Sequence, residues 1–308
     1  PKRFHDLYPL DKLSLPDVPE QDLEDLPFRA KQLALYPKTS GRHKTVVKYG
    51  QWENAVASYL ASVSFVDELI GDFIKALELH GLMKNTWVVL WSDHGWHLGE
   101  KSHWGKATGW FRSTRVPFLI VPPQGQNKFQ KSVNIHNTVN LLDLAPTLAD
   151  MAGIPKKPEW EGRSLVPLLK GQQKDWEEVT LTTFSIGSHT ISTPGWQLIS
   201  YFDGSFELYD LNNDPNQFNN LADQTGSAKL INRLKAFIPD EPNWDYFIRH
   251  KTYKILVSKN GNIQVFNQML EGRNDIDISE EVPELVQKIK SYINVKKPQQ
   301  KKFSIASM

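Results

Sequence analysis

The feature that most constrains the fold is a long helical pattern that leads directly into a short apolar strand. Apolar residues recur at three- and four-residue spacing from Asn54 to His80, and Gly81 stands at the expected stop. The segment Thr86–Trp91 is β-branched, aromatic and apolar on both faces, and Val116–Val121 predicts another strand. A strand that is apolar on both faces suits a parallel sheet between helix layers. We therefore expect an α/β fold.

The second half of the chain has a different pattern. From about residue 176 it shows short alternating runs separated by turns, and Asp203-Gly204 is a strong hairpin signal. A helical pattern follows from Ala228 to Phe237. These runs predict a small antiparallel sheet with a trailing helix.

The segment after residue 240 resembles the one before it. An offset of 57 residues aligns Gln197-Leu198-Ile199 with Lys254-Ile255-Leu256, and it also pairs Leu221 with Ile278. The sequence thus predicts four parts: an α/β segment at 1–175, an antiparallel subdomain at 176–240, a degenerate repeat of it at 241–295, and a polar tail at 296–308. A chance likeness between two hairpins remains the alternative to a repeat.

Composition excludes several classes of protein. The chain has 308 residues, of which 40% are apolar and 23% charged, as expected of a globular protein of enzyme size. Its formal charge of +1 is too small for the basic surface that nucleic-acid binding needs. It has no Cys, which excludes thiolate metal ligands and a Cys nucleophile within these residues. No apolar run approaches the roughly 20 residues that span a bilayer. The chain starts at Pro1 with no leader pattern, so we expect any targeting signal to lie outside it.

Reactive side chains are concentrated in Ser92–Lys106, which follows the predicted strand. Asp93 and His94 lie at its carboxyl end, where open α/β sheets bind ligands. A carboxylate and an imidazole can bind a divalent cation, but they make only half of a site. Lys106 suits an anionic oxygen of sulfate or phosphate. A capping role for Asp93 and a surface position for the histidines remain alternatives.

Several further motifs occur along the chain: Val88–Gly95, Leu98-Gly99-Glu100, Trp104-Gly105-Lys106, Thr114–Pro117, Leu141–Leu148 and Glu207–Leu211. Together they resemble the carboxyl-half signature of the type I sulfatases of the alkaline-phosphatase superfamily, nearest to the iduronate-2-sulfatase-like branch. The resemblance runs from about residue 1 to 240. It implies part of an alkaline-phosphatase-like α/β sheet with helices on both faces, followed by a smaller antiparallel α+β subdomain.

The resemblance also implies roles for residues and a reaction. Asp93 and His94 match metal ligands of an active-site calcium ion (Ca2+), and Lys106 matches the catalytic lysine that holds a sulfate oxygen. We further expect His103 to act as a catalytic acid, and His97 and Arg115 to bind substrate. The implied reaction is hydrolysis of a sulfate ester on a sugar or polysaccharide, in a periplasmic, extracellular or lysosomal location.

The chain departs from the family at the nucleophile. Sulfatases use a formylglycine made from Cys or Ser in a Cys/Ser-x-Pro/Ala-x-Arg motif of the amino half, and these residues contain no such motif. We therefore expect the amino-terminal half to be missing and the chain alone to be inactive. Two alternatives stay open. One is a phosphate-ester hydrolase of the same superfamily, which needs further zinc ligands. The other is a non-catalytic glycan-binding fragment that stacks sugars on Trp96, Trp104 and Trp110.

Overall fold

The computed structural model consists of two compact units, Pro1–Ile238 and Pro239–Met308. It describes residues 1–35, 43–129, 132–172, 176, 178–185, 187–238, 244–250, 253–258, 262–267 and 277–296. The predicted segments 1–175 and 176–240 lie almost wholly in the first unit, and the predicted repeat lies in the second. Beyond Lys296 the predicted tail lies outside the described residues.

The helices of the first unit are mostly short, with one long exception. They are α1 (Lys2–His5), α2 (Phe28–Ala34), α3 (His43–Lys48), α4 (Trp52–Leu79), α5 (Phe111–Thr114), α6 (Leu144–Met151), α7 (Val166–Leu169) and α8 (Ser227–Lys235). The long helix α4 confirms the sequence prediction, because it ends at Leu79 with His80 as its C-cap, and Gly81 takes the left-handed φ of 67°. Within the described residues, none of the helices combines the length and apolarity needed to span a bilayer.

In the described part of the first unit, eight strands form three antiparallel sheets. They are β1 (Val88–Trp91), β2 (His97–Leu98), β3 (Trp104–Gly105), β4 (Phe118–Val121), β5 (Thr180–Ser185), β6 (Ser188–Ser192), β7 (Trp196–Ser200) and β8 (Phe206–Asp210). The pairs β1–β4 and β2–β3 stand alone, and β5 to β8 form a four-stranded meander in chain order. The meander confirms the antiparallel sheet predicted after residue 176.

The surroundings of β1 differ from the sequence expectation of a buried parallel strand. This strand pairs antiparallel with β4, with Leu90 opposite Leu119. Leu90 and Trp91 are 37% and 45% exposed. An apolar pattern shows that a strand suits burial, but it does not specify the direction of its neighbour or what covers it. The prediction of a strand was therefore right, whereas that of parallel pairing was wrong for the described residues.

Helix α4 has apolar residues on two opposite sides. One side packs against α1, where the Phe4 and Phe65 rings lie 5.3 Å apart and Tyr8 Oη lies 2.6 Å from Ser64 Oγ. The opposite side carries exposed apolar residues, here called the α4 stripe. Its members are Tyr59, Val63, Val66, Leu69 and Phe73. A helix that is apolar on opposite sides is typical of a buried element, so the exposure of this stripe is unusual.

The meander joins the amino-terminal segment to the loop that follows β1. One apolar cluster contains Leu26, Ala30 and Ala34 from the α2 region, Trp110 from the loop, and Ile199, Tyr201 and Tyr209 from the meander. On the other face of the meander, Ile191, Leu198 and Leu208 pack against Ile231 and Leu234 of α8. Both faces of this sheet are therefore covered, and the loop is held between the sheet and α2.

The described residues of the second unit form a three-stranded antiparallel sheet and one α-helix. Its elements are β9 (Trp244–His250), β10 (Tyr253–Ser258), β11 (Ile263–Asn267) and α9 (Pro283–Lys296). The strands lie in the order β9-β10-β11. The core contains Ile255, Val257, Ile263, Val265, Ile278 and Ile289.

The two sheets share one register under the offset of 57 residues. Leu198 pairs with Leu208 in β7–β8, and Ile255 pairs with Val265 in β10–β11; each other pair of β7–β8 maps in the same way. The pairs of β6–β7 likewise map onto pairs of β9–β10. The registers thus follow the offset found in the sequence.

A side-chain turn after each sheet follows the offset as well. Asn220 Oδ1 accepts from the backbone N–H groups of Leu208 and Ala222, at 3.0 Å each. Asp277 Oδ1 accepts from those of Val265 and Ser279, at 2.9 and 3.0 Å.

We expect Asn220→Ala and Asp277→Ala each to destabilise its own unit by about 1–3 kcal/mol, because each change leaves two backbone donors without their acceptor. Hydrogen exchange should show faster exchange at Leu208 in the first variant and at Val265 in the second. Asp277→Asn keeps the acceptor oxygen and serves as the control. Unchanged exchange at Val265 in Asp277→Ala would contradict the prediction.

Candidate active site

The turn after β1 is held by close backbone packing. The Gly95 N–H donates to the Ser113 carbonyl at 2.8 Å. A Cβ at Gly95 would lie 1.9 Å from the Arg112 carbonyl oxygen. Asp93 Oδ1 accepts from the His94 backbone N–H at 3.0 Å. The turn therefore has a fixed backbone that presents Asp93 and His94.

Three predicted site residues meet at this turn. Lys106 Nζ lies 2.7 Å from His94 Nε2, and Asp93 Oδ2 lies 3.4 Å from the same nitrogen. The side chain of Asp93 is 72% exposed and that of His94 is 30% exposed. A carboxylate, an imidazole and an ammonium thus converge at a point that solvent reaches.

The contacts of His94 define which of its nitrogens carries the proton in the neutral ring. Nδ1 lies 2.9 Å from the Gly95 carbonyl oxygen, which can only accept a hydrogen bond. Nδ1 therefore donates, and the lone pair on Nε2 accepts from the Lys106 ammonium. The same lone pair is the one that His94 can offer to a metal ion.

Asp93 and His94 fit half of a metal site. They offer one carboxylate and one ring nitrogen at the same point, which is fewer than the six to eight oxygen ligands of calcium. Within the described ranges, no group of three or more His, Asp or Glu side chains is arranged to hold a metal ion. Further ligands are needed for a complete site.

His97 lies in the interior of the first unit. Its side chain is fully buried. Nδ1 lies 3.1 Å from the Glu100 carbonyl oxygen and Nε2 lies 2.9 Å from Thr108 Oγ1. Burial lowers the pKa of His97 to about 3, and the neighbouring His103 acts in the same direction. The substrate contact expected of His97 does not fit this location.

His103 is also buried, at 3% exposure. Its Nδ1 lies 3.0 Å from the Ala34 carbonyl oxygen and its Nε2 lies 3.2 Å from the Lys106 carbonyl oxygen. A buried ring whose two nitrogens both face main-chain oxygens has no atom free to protonate a leaving group. The catalytic acid role expected of His103 therefore does not fit the structure.

Arg115 and the tryptophans occupy different surroundings from one another. Arg115 is exposed, and its guanidinium lies 5.2 Å from the centre of the Phe111 ring. In the described part of the chain it has no hydrogen bond or ion pair to the three converging residues. Trp104 and Trp110 are buried, at 6% and 1% exposure, so the expectation that they stack on sugars was wrong. Trp96 is half-buried, with its ring 6.3 Å from that of His94.

A buried ion pair that sequence analysis missed lies behind the site. Lys101 Nζ is 2.5 Å from Asp22 Oδ1 and also donates to the Gln217 carbonyl, and both charged side chains are buried. Lys101 itself has a left-handed φ of 55°. Burial raises the pKa of Asp22, and Lys101 opposes this effect. Lys101 and Asp22 lie 79 residues apart, so no local pattern could have paired them.

Glu207 is a second buried acid that the sequence did not assign to the site. Its carboxyl group accepts from Trp110 Nε1 at 2.8 Å and from the hydroxyls of Tyr201 and Tyr209. Burial raises the pKa of Glu207, and the three hydrogen bonds oppose the rise. Glu207 thereby fixes Trp110, which lies four residues after Lys106.

Comparisons with known proteins agree with the resemblance seen in the motifs. The family model described as Sulfatase matches residues 16–154, and the one described as N-sulphoglucosamine sulphohydrolase, C-terminal, matches residues 99–241. A sulfatase of Formosa agariphila is 32% identical over 82% of this chain and 51% of the relative. An N-acetylglucosamine-6-O-sulfatase of Bacteroides thetaiotaomicron is 30% identical over 68% of this chain and 39% of the relative.

A solved structure adds a comparison of the fold. It shows a protein in complex with its substrate D-glucosamine-2-N,6-O-disulfate, and it has 27% identity and a TM-score of 0.51. The match covers 62% of this chain and 43% of the solved one. The chain belongs to the sulfatase family, with its alkaline-phosphatase-like α/β fold. It spans about half the length, or less, of the relatives it matches.

We expect Gly95→Ala to destabilise the first unit by about 1–3 kcal/mol, because the new methyl group would overlap the Arg112 carbonyl. Gly71→Ala is the matched control, since nothing lies within 4 Å of its added Cβ and the site is inside α4. That control should gain about 0.5–1 kcal/mol. Denaturant unfolding of both variants checks this, and equal stability of the two would contradict it.

The buried neutral His97 predicts a pH dependence of stability. The folded pKa of His97, about 3, lies below its ordinary value of 6.5, so below pH 6.5 the unfolded chain binds a proton that the folded chain does not. The contribution of neutral His97 to the free energy of unfolding should be complete above pH 6.5. It should fall by about 1.4 kcal/mol per pH unit between pH 6.5 and pH 3. Denaturant unfolding across this range should show a shallower slope in His97→Gln.

The exposed His80 provides the control for that measurement. His80→Gln should keep the wild-type slope. A His97→Gln slope equal to that of the wild type would contradict the prediction.

Proposed function

We propose that this chain is the carboxyl-terminal portion of a sulfuric ester hydrolase that acts on a sulfated sugar or polysaccharide. The observation that carries the proposal is the convergence of Asp93, His94 and Lys106 at an exposed turn. An ammonium beside two potential metal ligands suits an anionic sulfate ester, whose oxygens need positive charge around them.

Each of the three residues has a distinct role in this proposal. Lys106 donates to a sulfate oxygen and stabilises the charge that develops as the S–O bond breaks. Asp93 and His94 Nε2 would hold one divalent cation, calcium by family likeness, which supplies further positive charge to the sulfate oxygens. In this structure the Nε2 lone pair accepts from Lys106. The same lone pair cannot serve a cation at the same time, so a bound cation would leave the ammonium of Lys106 available to an oxyanion.

We propose further that another polypeptide segment, the amino-terminal half of the family's fold, supplies the formylglycine nucleophile and the remaining ligands. Three observations support this. The matched relatives are about twice as long as the matched part. The 308 residues of this chain contain no formylglycine motif. The α4 stripe and the β1–β4 pair expose apolar side chains that are typical of an interface. On this basis the chain alone is inactive.

The finer assignments rest on family likeness. The motifs around Asp93 favour an iduronate-2-sulfatase-like subtype. A sulfated sugar is proposed as substrate because one relative is named an N-acetylglucosamine-6-O-sulfatase and a solved relative holds a disulfated glucosamine. An exported location, whether periplasmic, extracellular or lysosomal, follows from the same likeness.

We also propose that the second unit is a degenerate repeat of the antiparallel subdomain, because strand registers and side-chain turns follow one offset. The offset places Gln264 where Glu207 stands and Phe266 where Tyr209 stands. The repeat therefore lacks the carboxyl group and the hydroxyl that fix Trp110 in the first unit. It is not expected to support a catalytic loop in the same way.

Binding of calcium and of inorganic sulfate to the 308-residue chain tests the proposed site. Lys106→Ala should weaken sulfate binding about ten- to hundredfold, because it removes a charge-assisted hydrogen bond. Asp93→Asn should weaken calcium binding, because affinity for calcium rises with ligand charge. Titration calorimetry measures both, and the exposed Lys84→Ala is the control.

Equal sulfate affinity in Lys106→Ala and wild type would reject the proposed role of the lysine. Activity is tested by fusing the amino half of the Formosa agariphila relative to this chain and assaying release of sulfate from sulfated sugars. Release that Lys106→Ala abolishes would exclude a purely glycan-binding fragment.

A further inference from the structure

We propose that His103 is a positioning residue for Lys106: by donating a hydrogen bond to the Lys106 carbonyl, it fixes the backbone from which the oxyanion-binding ammonium extends. This inference rests on the proposed function, because it assigns a task to a residue behind the same site. It also replaces the catalytic role that the sequence suggested for His103.

The His103 ring connects two segments that are distant in sequence. Nδ1 faces the carbonyl oxygen of Ala34 at the end of α2, and Nε2 faces that of Lys106, at 3.0 and 3.2 Å. The backbone of His103 is itself fixed, since its N–H donates to the Glu100 carbonyl and its carbonyl accepts from Gly99. A ring with a fixed backbone and both nitrogens close to main-chain oxygens is a rigid support. Both contacts are hydrogen bonds only when both nitrogens carry a proton, because each carbonyl oxygen can only accept.

The backbone around Lys106 needs such a support. Gly105 has a φ of 102° and Ala107 has a φ of 66°, so Lys106 lies between two residues with positive φ. For Ala107 this conformation costs about 1–3 kcal/mol and persists only when the surroundings enforce it. The carbonyl of Lys106 belongs to the peptide that joins it to Ala107. A hydrogen bond to that carbonyl therefore acts directly on the strained peptide.

The chemistry of the contact fixes the direction of the hydrogen bond. A carbonyl oxygen has no proton to give, so the contact forms only when His103 Nε2 carries one. The Lys106 ammonium lies at the other end of the same residue, 2.7 Å from His94 Nε2. His103 thus acts on the site through Lys106 and touches neither Asp93 nor His94.

His97 offers a matched comparison within the same hairpin. It is buried like His103, and the two rings meet edge to face with centres 5.2 Å apart. Its nitrogens contact the Glu100 carbonyl and Thr108 Oγ1 rather than Lys106. Replacing His97 perturbs the same packing without removing the hydrogen bond to the Lys106 carbonyl. Comparing variants of His97 and His103 therefore separates a positioning effect from a general loss of stability.

The test uses His103→Phe, His103→Gln, His97→Phe and Lys106→Ala in the 308-residue chain. The first readout is the dissociation constant for inorganic sulfate in the presence of calcium. We expect His103→Phe to weaken sulfate binding about tenfold, as is typical when a supporting hydrogen bond behind a site is lost. His103→Gln keeps an N–H donor and should recover most of the affinity. His97→Phe should lose stability but bind sulfate nearly as wild type does.

The second readout is the NMR carbonyl 13C shift of Lys106, which reports its hydrogen bond. It should change in His103→Phe, stay near the wild-type value in His103→Gln, and change little in His97→Phe. In the wild type, ring 15N spectra should show a proton on His103 Nε2. An unprotonated Nε2 would overturn the inference, even if His103→Phe fails to fold.

The outcomes separate this inference from the proposed function. Sulfate binding that Lys106→Ala weakens and His103→Phe leaves unchanged overturns the positioning role and keeps the function. Sulfate binding that Lys106→Ala leaves unchanged rejects the function. In that case the 13C shift of the Lys106 carbonyl by itself decides the inference. A shift that is unchanged in His103→Phe overturns it, and a shift that changes in His103→Phe but not in the other histidine variants supports it.

Discussion

The ion pair between Lys101 and Asp22 holds the first unit together around its site. The ammonium also donates to the Gln217 carbonyl, so one buried charge joins the amino-terminal segment, the β2–β3 hairpin and the segment after β8. Removing either member of a buried pair leaves an uncompensated charge, which typically costs about 3–5 kcal/mol. These three segments therefore keep one arrangement, and Lys106 extends from the hairpin that the pair fixes.

The antiparallel subdomain contributes to the site by holding the loop that carries it in place, rather than by supplying reacting groups. Gln217 accepts from the Phe111 backbone N–H at 2.7 Å and donates to Gln197, while Glu207 holds Trp110. The bonds to Trp110 and Phe111 fix the carboxyl end of the short stretch between the hairpin and α5. Because they are buried and mutually satisfied, they favour one loop conformation over alternatives. The meander thus acts on the turn of Asp93 and His94 through the loop that it holds.

The sequence predicted the parts of the structure that depend on the pattern of neighbouring residues. The turn that carries Asp93 and His94 was predicted because it directly follows a strand, α4 because its apolar spacing is sustained, and the meander because turns separate alternating runs. The interior positions of His97 and His103 were missed, because a histidine in a polar loop has the same local pattern whether it faces solvent or main-chain carbonyls. The Ala34 carbonyl that binds His103 lies 69 residues away. Only the fold brings such partners together.

The contact between Lys106 and His94 keeps the two side chains oriented at the site. An ammonium and a neutral imidazole satisfy each other without a metal or an anion, so the two side chains stay oriented although the ligand set is half complete. A cation at His94 Nε2 would displace the ammonium toward any oxyanion beside it. The exposed α4 stripe fits the proposal that a further polypeptide segment covers apolar surface and supplies the remaining ligands. If the segment that covers the α4 stripe also supplied the remaining ligands, the site would be complete only when the stripe is covered.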